Sequence, residues 1–142
     1  GAESVGRSLV DLEVVVSYWG FAGGSGDVER VRERCRRSVL AYAMVPTHQR
    51  AFVNSFPELE EARQAWEAGD RRRALKLTSD DAVNAMCAVG SGADVVERAR
   101  ELAAAGVDLP VVLPIGPDLG DPRGALGTIR TTAVELSLEA PD

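Results

Sequence analysis

The sequence contains few of the residues from which metal sites and catalytic sites are usually built. Its 142 residues include one histidine, His48, and two cysteines, Cys35 and Cys87. A structural zinc site needs four ligands, and this scattered set does not supply them. No G-x-S-x-G nucleophile elbow occurs either. We therefore expect no metal site and assign no catalytic acid, base or nucleophile. We interpret both cysteines as small buried hydrophobic residues.

Positive charge and long apolar runs are also scarce. The formal net charge is −6, and Lys76 is the sole lysine. A net negative charge opposes general binding to nucleic acid or to an anionic membrane. No apolar run reaches the roughly 20 residues that cross a bilayer. The sequence does not begin with a basic segment followed by an apolar one, as a secretory signal does. These absences predict a cytoplasmic protein.

What the sequence does contain is organised around a strand–helix–strand segment from Met86 to Ile115. A short apolar run stops at Gly90, and Ser91 with Asp94 then forms a capping box that starts a helix. Gly106 supplies the left-handed residue that commonly follows the last turn of a helix. A second apolar run, rich in β-branched residues, comes next. Two strands without polar alternation around one helix predict a βαβ unit in a buried parallel sheet.

An earlier strand is predicted over residues 12–19. One of its faces is apolar and carries Tyr18, which suits packing against a helix, whereas the other carries Ser17 and Trp19 at the end of the strand. The glycine-rich stretch at 20–26 matches neither a Walker A loop nor a dinucleotide fingerprint. We interpret it as a mobile connection, with a loop over a ligand site as the alternative.

A helical region fills the space between this strand and the central unit. A long helix, with Ser25 or Asp27 as its cap, is expected to end at Pro46, and residues 47–57 are expected to be irregular. His48 lies in that irregular stretch. Histidine as a residue type can act as a general base, but no partner carboxylate is evident, so packing or pocket lining is favoured. Further helices are predicted at 58–68, 71–77 (capped by Asp70), 80–85 (capped by Ser79) and, after the central unit, 123–136.

The central segment contains three motifs in order: G-S-x-x-D-V-x-x-R-A at Gly90–Ala99, A-A-G-V-D at Ala104–Asp108 and V-V-L-P at Val111–Pro114. Together they resemble the last repeats of the luciferase-like monooxygenase family. The segments Asp11–Ser17 and Leu40–Phe52 are similar to a barrel strand and a helical segment of the same family. The greatest similarity is to the branch of the family that uses a deazaflavin coenzyme. The resemblance covers nearly the whole chain.

The resemblance implies an α/β fold that is the C-terminal part of a (β/α)8 TIM barrel. About three β/α units and a helical insertion would form one partial-barrel domain over residues 1–142. A complete barrel has eight units and about 250 residues, so the first five units would be missing. In this domain the strand is expected at 12–19, the helical insertion at 27–85 and the βαβα unit at 86–136.

The function implied by the resemblance is that of an oxidoreductase or monooxygenase. Such a protein uses reduced flavin, as FMN, or a deazaflavin coenzyme on a small organic substrate. The activity would belong to the parent protein, and activity of this chain alone is doubtful. The alternative is a non-catalytic half-barrel that serves as a dimerisation or interaction module.

The resemblance also implies which residues would line the mouth of the barrel. The N–H groups after Gly90 could hold an anion, and Arg123 could reach a phosphate tail. An ordinary turn and a solvated arginine are the favoured alternatives. Trp19 would stack on the coenzyme ring or on the substrate. The resulting candidates are Gly90, Ser91 and Arg123 for cofactor binding, and Ser17, Trp19, His48, Pro114 and Gly116 for substrate binding.

Three parallel strands alone leave two unpaired edges and an uncovered apolar face. We therefore expect a homo-oligomer, a separate chain that completes the barrel, or a longer enzyme of which this chain is a fragment. The sequence begins with Gly1 and not with methionine, which favours the fragment.

Overall fold

The computed structural model of the chain describes residues 2–6, 8, 12–118 and 120–138. These residues form three parallel β-strands and seven α-helices, after a short 3-10 turn at Ala2–Val5. None of the described helices is both long and apolar enough to cross a membrane. In chain order the elements are β1 (Val15–Ala22), α1 (Ser25–Met44), α2 (Pro46–Ser55), α3 (Glu58–Glu67), α4 (Arg71–Leu77), α5 (Asp80–Met86), β2 (Cys87–Gly90), α6 (Gly92–Ala104), β3 (Leu109–Pro114) and α7 (Pro122–Leu138).

The strand order is β2-β1-β3, with β1 hydrogen-bonded on both edges. The predicted α/β class with parallel strands is confirmed. Neighbouring strands of a barrel follow one another in the chain, however, so a barrel arc would have β2 in the middle. Here the chain moves to one side of β1 to form β2 and then to the other side to form β3. Because such crossovers are right-handed, this reversal places the two connections on opposite faces of the sheet.

The first face, which we call the insertion face, is packed against the helices between β1 and β2. Phe21 of β1 and Val89 of β2 lie in one buried cluster with Val31 and Val39 of α1 and Leu59 of α3. The spacing of the α1 residues places them along one side of the helix. The apolar sheet face that was expected to be uncovered is therefore partly covered by the chain's own insertion.

The opposite face is packed against α6 and α7. Tyr18 is 3% exposed, and its hydroxyl donates a hydrogen bond to the Val95 carbonyl oxygen at 2.7 Å. This confirms the predicted apolar, helix-facing side of the strand. Gly20 allows Val112 and Val95 to pack closely against β1, since a Cβ at this position would lie 2.6 Å from Cγ1 of Val112 and 3.2 Å from Cγ1 of Val95. Burial raises the pKa of Tyr18 and outweighs the opposing effect of nearby Arg98, so the phenol stays a hydrogen-bond donor.

Most predicted helix boundaries are confirmed by their caps. The carboxylate of Asp70 accepts from the Arg73 N–H at 3.0 Å, and the Ser79 hydroxyl accepts from the Ala82 N–H at 3.1 Å. Gly106 has a φ of +93°, the left-handed conformation expected after the last turn of α6.

Three predicted boundaries are wrong. The first strand is Val15–Ala22 and not 12–19, because pairing with β2 continues from Trp19 to Ala22. The N-cap of α1 is Gly24, which has no side chain with which to accept a capping hydrogen bond, and not Ser25 or Asp27. Pro46 does end α1, but it also begins α2, so the stretch after it is helical. Proline suits this position because N–H groups in the first turn of a helix have no intrahelical partner, so the N–H that proline lacks is not needed.

The capping box of α6 generates a prediction about pH. The Ser91 N–H and hydroxyl both donate to Oδ2 of Asp94, at 2.6 and 2.7 Å, and these bonds lower the pKa of Asp94. A depressed carboxyl pKa stabilises the fold above the unfolded value of about 3.9, and the effect is lost as the pH falls through the folded value. Asp94→Asn should therefore cost about 0.3–1 kcal/mol at pH 7, as for an exposed carboxylate in the first turn of a helix, and the cost should shrink below pH 4.

Urea unfolding of both proteins across this pH range measures the effect. Glu97→Gln is the matched control, because it removes one negative charge from the same helix without touching the cap. An Asp94→Asn cost that is the same at every pH would contradict the assignment.

Candidate functional site

Two of the predicted site residues, Trp19 and His48, are brought together by a third ring, that of Tyr42. The ring centroids of Trp19 and Tyr42 are 5.6 Å apart, as are those of Tyr42 and His48. Phe52 stacks on Tyr42 with a centroid distance of 6.3 Å. We call these four residues the aromatic cluster. Tyr42 comes from the last turn of α1, and His48 and Phe52 lie one helical turn apart on α2.

Trp19 lies in the middle of β1, not at its C-terminal end as predicted, because the strand continues to Ala22. Its side chain is on the insertion face, where it packs beside the buried cluster around Phe21. Trp19 is half-buried and Tyr42 is 39% exposed, so the cluster forms a wall that is open to solvent on one side. Edge-to-face and offset aromatic contacts of this kind are favourable and leave ring faces available.

His48 has the contacts of a pocket-lining residue. It is exposed, its Nδ1 lies 2.9 Å from the Thr47 hydroxyl oxygen, and its ring edge meets Tyr42. Neither neighbour is a carboxylate that would orient the imidazole as a base. These contacts agree with the interpretation from sequence, which favoured a pocket-lining role for His48 over a role as a catalytic acid or base. A role in substrate binding stays a prediction.

The sheet beside the aromatic cluster is open. Ser17 is exposed and pairs with Val111 of β3, and Trp19 pairs with Leu113, which is 43% exposed. Alternation along the strands places these residues on the insertion face, beyond the helices that cover Phe21. We call this surface the open sheet face. It is apolar apart from one hydroxyl group, and its members are Val15, Ser17, Leu109, Val111 and Leu113.

The turn at Gly90 and Ser91 is closed by its own cap. The Gly90 carbonyl accepts from the Gly23 N–H at 3.0 Å, and the Ser91 N–H is bonded to Asp94. A carboxylate thus already lies where an anion would bind at this helix start. Gly92 is buried against α7. The contacts are those of the ordinary strand-to-helix turn that the sequence favoured, and cofactor binding here stays a prediction.

The three remaining candidates lie apart from the aromatic cluster. Pro114 lies on the opposite sheet face, in a groove between β3 and α7. Gly116 is buried, and its carbonyl oxygen accepts a hydrogen bond from Nη1 of Arg34 at 2.8 Å. Arg123 is exposed in the first turn of α7, where its backbone N–H donates to Asp121. The structure therefore brings together Ser17, Trp19 and His48, and separates Pro114 from them.

Three members of this region, Tyr42, Phe52 and Leu113, were not among the predicted site residues. A signal for one of them, Phe52, exists in the sequence. His48 and Phe52 are four residues apart, which places them on one face of a helix. If Pro46 had been interpreted as the start of a helix, that spacing would have predicted that His48 and Phe52 lie side by side. Leu113 had no local signal, because its position beside Trp19 depends on the pairing of β1 with β3.

Comparison with known proteins identifies the family. The sequence model of the luciferase-like monooxygenases matches residues 1–109. The chain belongs to the luciferase-like monooxygenase family. It is also similar to a 5,10-methylenetetrahydromethanopterin reductase from Methanopyrus kandleri, with 30% identity over 122 residues, which is 83% of this chain and 34% of the reductase. The chain thus spans about a third of that relative's length. No solved structure matches it. The resemblance noted in the sequence is confirmed.

The aromatic cluster can be tested by fluorescence. The chain has two tryptophans, Trp19 and Trp66, so in Trp66→Phe selective excitation of tryptophan reports on Trp19 alone. In that background Tyr42→Ala should shift the emission of Trp19 to longer wavelength, because the indole loses a ring neighbour and gains water. Tyr18→Phe, on the opposite sheet face, is the control and should leave the emission unchanged. Equal spectra for the Tyr42→Ala variant and its parent would contradict the cluster.

Proposed function

We propose that this chain is part of an oxidoreductase that uses reduced flavin or a deazaflavin coenzyme on a small organic substrate. Membership of the luciferase-like monooxygenase family carries the proposal. Similarity to a curated reductase supports a redox reaction. The complete protein is proposed to be a (β/α)8 barrel. That barrel would require β3 to pair beyond β2, whereas in this chain β3 pairs with β1. The coenzyme surface proposed next depends on this pairing of β1 with β3.

The open sheet face fits the ring of such a coenzyme. A fused three-ring system is planar, with apolar faces and a polar edge. The surface offers apolar side chains from β1 and β3, the wall formed by Trp19 and Tyr42, and the hydroxyl of Ser17 as a hydrogen-bond partner. Aromatic side chains gain most when they cover an apolar ring face and keep an edge near water.

The residues of this face would bind and orient the coenzyme and exclude water from it. The coenzyme supplies the hydride or oxygen chemistry when it is bound. The Gly90–Ser91 turn is a poor fit for an anionic group of the coenzyme, since the Asp94 carboxylate already accepts from the Ser91 N–H there. The ring of FMN and that of a deazaflavin coenzyme have the same shape and apolar faces, so both suit this surface.

A titration of the purified chain with FMN and, separately, with a deazaflavin coenzyme tests this proposal. We expect saturable binding of at least one, and we expect Trp19→Leu to weaken it up to about tenfold through loss of stacking. Trp66→Leu is the matched control, because that tryptophan lies on α3 beneath Arg71. Failure of both coenzymes to bind, or equal affinities for the two variants, would count against the proposal.

The alternative, a non-catalytic interaction module, is favoured by two features of the surface. Four large apolar residues of α7 are about half exposed: Leu126 and Ile129 at 49%, Leu136 at 54% and Val134 at 57%. Among the described strands, β3 pairs with β1 alone and keeps an outer edge open. A second copy of the chain, or a chain that completes the barrel, could cover both features.

Solution mass separates the two functions. If the chain associates through α7, Val134→Glu should shift it towards the monomer, because a charge would be buried in an apolar contact. Arg130→Glu introduces the same residue nearby and should have the smaller effect. An assembly that binds neither coenzyme supports the interaction module. A monomer whose mass both variants leave unchanged would exclude association through α7.

A further inference from the structure

A cleft of about 620 Å3 lies between α1 and the loop that follows β3. Arg30, Arg34 and Arg37 line it from α1. Their spacing of four and three residues places them on one face of the helix. Pro117 and Asp118 line it from the loop. The cleft thus lies near the carboxyl end of a parallel strand, the edge at which ligands of open α/β sheets bind.

One of the three guanidinium groups is held in place by the backbone. Nη1 of Arg34 donates to the Gly116 carbonyl oxygen at 2.8 Å. This bond uses one of the five N–H donors of the guanidinium. It also fixes the plane of the group, so less side-chain freedom is lost when a further acceptor binds. The half-buried Arg34 is therefore a prepared donor at the centre of the cleft.

The other two guanidinium groups have loose ionic partners. Arg30 lies 3.4 Å from Asp118 and 3.6 Å from Asp27, and Arg37 lies 3.4 Å from Glu33. Both arginine side chains are more than half exposed, at 58% and 65%. Exposed ion pairs of this length contribute little to stability. An incoming anion can therefore replace their partners at little cost.

The charge of the lining has the opposite sign to that of the chain. Three arginines face two carboxylates, Glu33 and Asp118, in the lining. The lining therefore has a formal excess of one positive charge, which Asp27, 3.6 Å from Arg30 and outside the lining, reduces. The whole chain carries a formal net charge of −6. A local excess of positive charge in a concave surface concentrates small anions there. Planar guanidinium groups form paired hydrogen bonds with carboxylate and phosphate alike. Three such groups together match phosphate better, because phosphate carries more negative charge and a third acceptor oxygen.

We propose that this arginine cleft, lined by Arg30, Arg34, Arg37 and Asp118, binds the phosphate group of a small molecule. The site lies outside the aromatic cluster and the open sheet face, and it does not depend on the coenzyme proposed above. Asp118 would act against binding, since its carboxylate competes for Arg30. The cleft therefore contains one group whose removal should strengthen binding and others whose removal should weaken it.

Calorimetric titration of the purified chain with inorganic pyrophosphate tests the proposal. We expect saturable binding that weakens about tenfold in Arg37→Gln and in Arg30→Gln, as for the loss of a hydrogen bond to a charged group. Asp118→Asn should bind more tightly than the unmodified chain. Arg100→Gln is the matched control. It removes the same charge from α6, on the other side of the sheet, and should bind as the unmodified chain does.

The opposite signs of these effects make the test specific. Absence of saturable binding would overturn the proposal. So would equal affinities for Arg37→Gln and Arg100→Gln, because pyrophosphate would then be responding to net charge alone. Each variant replaces a largely exposed side chain, and circular dichroism confirms that it is folded before the titration.

Discussion

The position of β1 at the centre of the sheet determines the rest of the structure. It pairs with β2 on one edge and with β3 on the other, and Trp19 has a partner in each neighbour, Cys87 and Leu113. Its side chains alternate between two packed layers. Phe21 anchors the insertion helices, whereas Tyr18 anchors α6 through a buried hydrogen bond. A shift of one residue in β1 would exchange these faces and break both layers at once.

The parts that could be predicted from sequence are those that depend on near neighbours in the chain. The capping box of Ser91 and Asp94, the caps at Asp70 and Ser79 and the left-handed Gly106 are each fixed within a few residues, and all are confirmed. Pro46 was interpreted correctly as a helix end, but its second role as a helix start was missed. A proline is favourable both just after the end of a helix and in the first turn of the next. Only the packing of the following segment determines whether that segment is helical.

The strand order could not be predicted in the same way. The order β2-β1-β3 depends on pairings between residues far apart in the chain, such as Val15 with Leu109. A resemblance to a barrel family implies that strands adjacent in the chain are also adjacent in the sheet. It therefore gives no indication of a different strand order. The contact between Cys35 and Cys87 is a similar case. The cysteines look unrelated in sequence, yet both are buried in one cluster. The Cys87 thiol donates a hydrogen bond to Cys35, and this bond and burial raise the pKa of Cys87. Cys87 therefore stays a neutral thiol, which suits the predicted role in packing.

Helix α1 links the two surfaces that could bind ligands. It contributes Tyr42 to the aromatic cluster and Arg37 to the arginine cleft. These residues are separated along the helix axis by roughly 7 to 8 Å, at 1.5 Å per residue. The helix is fixed by a buried stripe that includes Val31 and Val39, each fully buried. Close packing transmits a change in that stripe to the whole helix. A substitution in the core that tilts α1 would therefore alter the ring wall and the arginine cleft together, although it touches neither.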